Sequence, residues 1–117
     1  MRIEGFTLAV MDIEKMARFY NAIFDSGLQP REMFGSKLYQ GQFCGLQLLL
    51  CPAEVAANSA EQNRHQFNIV VKDLDRFLER AIETGAETIG EVVEDLGYRS
   101  IGLYDPDRNS MVVKERI

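Results

Sequence analysis

The alternation of apolar and polar positions says nearly the same thing twice. Residues 8–20 read LAVMDIEKMARFY and residues 69–81 read IVVKDLDRFLERA. In each, an apolar run leads to an aspartate, an aliphatic residue, an acidic residue and an apolar series at helical spacing. Asp12 and Asp73 stand 61 residues apart, as do Ile13 and Leu74. A duplicated strand–helix unit predicts two copies of one supersecondary motif sharing the chain.

In the first copy, residues 3–10 alternate as a strand, with Phe6, Leu8 and Val10 on one face and Gly5, Thr7 and Ala9 on the other. Asp12 is placed to cap a helix, and Glu14 favours its positive end. Ile13, Met16, Phe19, Tyr20 and Ile23 follow at helical spacing. The helix is expected to end near Ser26-Gly27, with Gly27 as its cap and Pro30 beyond. Residues 31–51 read as three short strands, with turns at Gly35-Ser36 and at Gly41 or Gly45. Residues 52–64 are polar and Ala-rich and read as a linker, with room for one helical turn.

The second copy repeats the order. Residues 66–71 form a strand, and Asp73 caps a helix through about Thr84 whose core face is Leu74, Phe77, Leu78, Ala81 and Ile82. Three strands follow over 87–93, 98–104 and 110–115, the last two joined by the DPDRN turn at 105–109. The fold class is α+β: two βαβββ modules (1–51 and 65–117) making a curved mixed sheet around a cleft, in a single domain spanning 1–117. Phe6, Leu8, Val10, Phe67, Ile69 and Val71 are expected under the helices. The opposite strand faces then line a concave pocket.

Composition narrows the function. Hydrophobic residues make up 46% of the 117, a soluble globular balance. No apolar run approaches the roughly 20 residues of a membrane span, and the N-terminus lacks a signal-peptide pattern, so the expected location is the cytoplasm, with no membrane partner. A net charge of −5 argues against nucleic acid. Cys44 and Cys51 lie about 23 Å apart when extended, beyond disulfide reach, and read as buried reduced thiols.

The paired LAVMDIEKMARFY and IVVKDLDRF blocks, with YDPDRNSMVV near the end, resemble the vicinal oxygen chelate superfamily, which includes glyoxalases, extradiol dioxygenases and bleomycin-resistance proteins. In its metal-dependent members, His or Glu at four strand positions hold a divalent ion. The resemblance places those positions at Gly5, at Gln47 (or Leu49), at Gln66 and at Val112. None is a usual ligand: Gly and Val offer no side-chain donor, and Gln oxygens are weak. The implied cofactor set is therefore empty, with no metal. The turn also departs from the family's DPDGN through Arg108, with Asn109 expected to take any left-handed conformation.

His65 is the only histidine, one residue from a ligand position. A register slip to use it would turn Phe67, Ile69 and Val71 away from the helix, so it reads as exposed at a strand start. A local bulge would move it alone, leaving a displaced metal-dependent lyase, isomerase or dioxygenase as the alternative, with Glu4 and Glu115 nearby. Thr7, Tyr39, Gln47, Gln66, Asn68, Ser100, Tyr104 and Ser110 are the candidate ligand-binding residues of a mostly neutral pocket. Tyr98, Arg99 and Lys114 suit an anion, although alternation points Arg99 away from Tyr104. Met33 could overhang the cleft. Glu91, Glu94 and Asp95 read as solvated edge charge. The function these features suggest is binding of a small organic molecule by a homodimer.

Overall fold

The computed structural model describes residues 4–58 and 65–117. Ile3 of the expected first strand and the 59–64 part of the expected linker lie outside them. The chain divides into two compact units, 1–60 and 61–117. The first contains β1 (Gly5–Val10), α1 (Ile13–Phe24), β2 (Gln29–Met33), β3 (Ser36–Phe43) and β4 (Leu46–Pro52). The second contains β5 (Phe67–Val70), α2 (Leu74–Glu83), β6 (Glu87–Asp95), β7 (Tyr98–Tyr104) and β8 (Ser110–Arg116). This is the βαβββ order written twice. Each unit closes its own four-stranded mixed sheet, in the orders β1-β4-β3-β2 and β5-β8-β7-β6.

The duplicated aspartates do the same work in both copies. Asp12 accepts a hydrogen bond from the Lys15 backbone N–H, and Asp73 accepts one from that of Arg76, each at 3.1 Å. Both satisfy a first-turn donor that has no partner within the helix. At the other end, α1 stops earlier than Gly27: Asp25 takes the left-handed cap, at φ 51°. Its short polar side chain tolerates that conformation better than most.

In the first unit the helix-facing side of the sheet carries Phe6, Phe43, Leu48 and Leu50, against Met16, Phe19 and Tyr20 of α1. Phe43 is the hub, with its ring 5.6 Å from Phe6, 5.8 Å from Tyr20 and 4.7 Å from Phe24. In the second unit the buried apolar set is Leu74, Ala81, Ala86, Ile101, Leu103, Met111 and Val113. Ile82, expected in this core, is instead exposed.

The turns also refine the sequence reading. The β2–β3 turn is Phe34-Gly35 and the β3–β4 turn Cys44-Gly45, both at positive φ. Gly41 is not a turn residue but lies within β3, where an added Cβ would collide with the Ser26 carbonyl oxygen. In the DPDRN turn it is Arg108, not Asn109, that is left-handed, at φ 66°. Buried Asp105 holds the turn by accepting from the backbone N–H groups of Asp107 and Asn109 and from the Asn109 amide.

Candidate functional site

Each sheet has one face under its helix and one without a helix, and the strand register fixes which residues share the second. In the first unit Gly5 lies opposite Gln47, Thr7 opposite Leu49 and Ala9 opposite Cys51. Strand alternation adds Leu38, Gln40 and Gln42 from β3. Leu38 is fully buried on this helix-free face. What covers that end of the sheet is the start of the expected linker: residues 53–57 form turns that fold back, anchored by the Ala53 N–H donating to the Val10 carbonyl. A cavity of about 360 Å³ remains, lined by Thr7, Ala9, Leu38, Leu49 and Cys51 from the sheet, by Phe34, and by Val55, Ala56 and Asn58. Its accessible lining is mixed, polar and apolar in about equal measure, with Thr7 and Asn58 supplying polar side chains.

Of the candidates in this unit, Thr7 and Gln47 stand on the helix-free face. Tyr39 does not. Its hydroxyl donates to Glu14 of α1 at 2.6 Å, and Lys37 donates to the same carboxylate at 2.7 Å, so alternation puts Tyr39 on the helix side. The two donors hold the Glu14 carboxyl below its ordinary value, with Lys37 the larger cause. The overhanging residue is Phe34 rather than Met33. Cys44 is exposed in its turn, contrary to expectation, while Cys51 is buried. Burial, then the charge of Glu54, pushes the Cys51 thiol up, which leaves it a poor nucleophile.

The helix-free face of the second sheet is a grid of four rows. Ser110, Tyr104 and Glu87 form one end, and the Gln66 amide donates to the Ser110 hydroxyl at 3.0 Å. Asn68, Val112, Gly102 and Ile89 form the next row, then Val70, Lys114, Ser100 and Val93. Arg116, Tyr98 and Asp95 close the grid. The register thus brings together Gln66, Asn68, Ser100, Tyr104 and Ser110 as the sequence suggested. Arg108 lies over the Tyr104 ring at 4.3 Å and pairs with Glu87 at 3.0 Å.

Two charged candidates are engaged on the other side. Arg99 bridges Asp75 and Glu115, at 3.2 Å each, which raises its pKa. Glu115 also accepts from the Leu74 N–H at 3.0 Å, closing the first turn of α2. Glu115 is therefore not a solvated strand-end charge but a helix cap. Glu91, Glu94 and Asp95 are exposed on β6, an edge strand.

The four positions that the resemblance assigns to metal ligands do not fit a metal. Gly5 and Val112 supply no donor atom. Position 5 also has no space for one: a Cβ there would lie 2.5 Å from the Gln47 carbonyl oxygen and 2.6 Å from its Cβ. The Gln66 amide nitrogen is already turned to Ser110. His65 is exposed just ahead of β5, and among the described residues no group of three His, Cys, Asp or Glu side chains converges on a point that could hold an ion.

Two βαβββ units with capped helices and helix-free strand faces define a class, and the comparison with known families agrees. Residues 5–113 match the glyoxalase-like domain, and the chain belongs to that family, within the vicinal oxygen chelate superfamily. Solved structures share the fold. A glyoxalase/bleomycin resistance protein/dioxygenase family enzyme from Burkholderia phytofirmans PsJN superposes with a TM-score of 0.78 at 19% identity, covering 100% of both chains. The fosfomycin resistance protein FosX from Listeria monocytogenes gives 0.76 at 22% identity, over 100% of this chain and 94% of its own. TnmS3, an antibiotic binding protein from Streptomyces sp. CB03234, gives 0.73 at 19%, over 100% and 97%. No protein with a curated description matches.

Proposed function

We propose that this protein binds a small organic molecule on the helix-free faces of its sheets, without the divalent metal used by the superfamily's metal-dependent members. The observation that carries this reading is the 360 Å³ cavity of the first unit. The half-buried Ala9 and Leu49 on its floor release water when an apolar group enters, at about 25 cal/mol per Å² of apolar surface removed from solvent. Thr7 and Asn58 provide orientation. The donor-poor ligand positions support binding over metal-assisted chemistry. TnmS3, of the same fold, is an antibiotic binding protein. The reading includes a homodimer in the cytoplasm. The exposed Ile89, Val92 and Val93 of edge strand β6 favour self-association, no helix among the described residues is long and apolar enough to cross a membrane, and both cysteines are free.

Titration of the isotopically labelled protein with indole tests the cavity. The backbone amide signals of Leu49, Cys51 and Ala56 are expected to shift, and Ala56→Phe, which fills the cavity from an accessible turn, is expected to abolish the shifts. Indole that leaves these amides unmoved would overturn the reading. Stoichiometric retention of nickel, zinc, manganese or iron after desalting would overturn its metal-free part.

A further inference from the structure

The second sheet carries a different binding chemistry. Lys114 Nζ lies 4.8 Å from the centroid of the Tyr98 ring and Arg116 Cζ lies 5.7 Å from it. Tyr98 is directly opposite Arg116, and Ser100 directly opposite Lys114, so all four share the helix-free face. Two cations two residues apart on one strand stand roughly 7 Å apart at their Cα atoms, with their side chains converging on a single ring. They repel each other, and the ring's quadrupole offsets this only in part. Lys37, Arg99 and Arg108 each have a carboxylate partner. Among the described residues, Lys114 and Arg116 have none.

From this convergence we infer that Lys114, Arg116 and Tyr98 form a subsite for an organic oxyanion, a carboxylate or phosphate monoester carried on an apolar body. The guanidinium presents a flat fork of donors to two oxygens, while the ammonium acts as a point charge. Ser100, in the Lys114 row, adds a hydroxyl donor. The body of the ligand lies along exposed Val70 and Val93 toward Ile89 and the dent at Gly102, where an added Cβ would meet the Ile89 side chain at 3.0 Å. Asp95, opposite Tyr98, faces the same site and opposes an anion there. The inference deepens the small-molecule reading and rests on it, but it concerns residues that the cavity of the first unit does not use.

Benzoate, phenyl phosphate, inorganic phosphate and the neutral benzamide are the probes, each titrated into the labelled full chain. At least one aromatic anion is expected to shift the amides of Tyr98, Ser100, Lys114 and Arg116, to bind about tenfold more tightly than benzamide, and to weaken as salt rises. Lys114→Gln and Arg116→Gln are each expected to weaken it severalfold. Asp95→Asn is expected to tighten it, which a merely structural role for the surface charges would not produce. Preference for benzoate or phenyl phosphate assigns the head group. The proposal is overturned if benzamide binds as well as the anions, if the two charge-removing variants leave affinity unchanged, or if neither aromatic anion moves these amides. Inorganic phosphate binding as tightly as phenyl phosphate would likewise overturn it, by reducing the site to a bare-ion contact. Indole shifts at Leu49 and Cys51 that persist through any of these failures would leave the cavity reading intact.

Discussion

The two units share a plan and differ in what fills it. The first buries an aromatic cluster under its helix, with Phe19, Tyr20 and Phe43 sealed from water. The second has no sealed aromatic side chain among its described residues and relies on Leu, Met, Val and Ile. Their helix-free faces diverge as well: a turn-covered cavity in one, a grid with convergent cations in the other. What is common to both is the strand, the aspartate cap and the helix. Capping is a backbone requirement, indifferent to what the sheet binds, so Asp12 and Asp73 keep the same bond while the faces are free to differ.

Substitutions can break that comparison in decreasing order of effect. Phe43→Ala removes the hub of the aromatic cluster and is expected to cost about 3–5 kcal/mol. Phe77→Ala, at a half-buried position of α2, is expected to cost about 1 kcal/mol. Hydrogen exchange resolved by residue would show the first loss in β1–β4 and the second in β5–β8. Equal losses would mean that the aromatic cluster is no more important than the aliphatic core.

A smaller contrast concerns the two tight glycines. Gly5→Ala drives a Cβ into the Gln47 backbone and is expected to cost about 1–3 kcal/mol in urea unfolding. Gly102→Ala meets the Ile89 Cβ at 3.0 Å, a looser contact than the one at Gly5 and with an exposed edge strand that can shift by a few tenths of an ångström, so its cost should be the lesser. The smallest effect is electrostatic. Glu14 is held below 4.5 by Lys37 and Tyr39, so its stabilisation is complete above that value and fades as pH falls through the lowered one. Glu14→Gln is expected to lower stability slightly near neutrality, where that contribution is complete, and to converge with the parent protein in acid, which flattens the acid limb of a stability–pH profile.

Most of the fold was legible because hydrophobic period, caps and turn glycines are local signals. The duplicated block located both helices and their first strands. The site was legible only as far as strand parity reached. Parity gave Thr7, Gln47, Asn68, Ser100, Tyr104 and Ser110 their face, and it set Arg99 aside from Tyr104. It failed at Tyr39, whose polar hydroxyl suggested a pocket while its position in β3 sent it to Glu14. It could not reveal the cavity, because the covering turns at 53–57 lie in a polar stretch with no period to read. The capping role of Glu115 was hidden because its partner, the Leu74 N–H, lies 41 residues away in the chain. Arg116 went unnoticed as the last residue of its strand, though its spacing from Lys114 already placed both on one face.

Gly5 also limits how this chain can be redesigned. Installing a histidine at that position would first require the Gln47 backbone to withdraw, since an added Cβ meets the Gln47 carbonyl, which no change of residue 47 can remove. A first-strand ligand therefore cannot be installed by one substitution. For the protein engineer, the close approach of these two strands is a latch on position 5 that has to be opened from the β4 side.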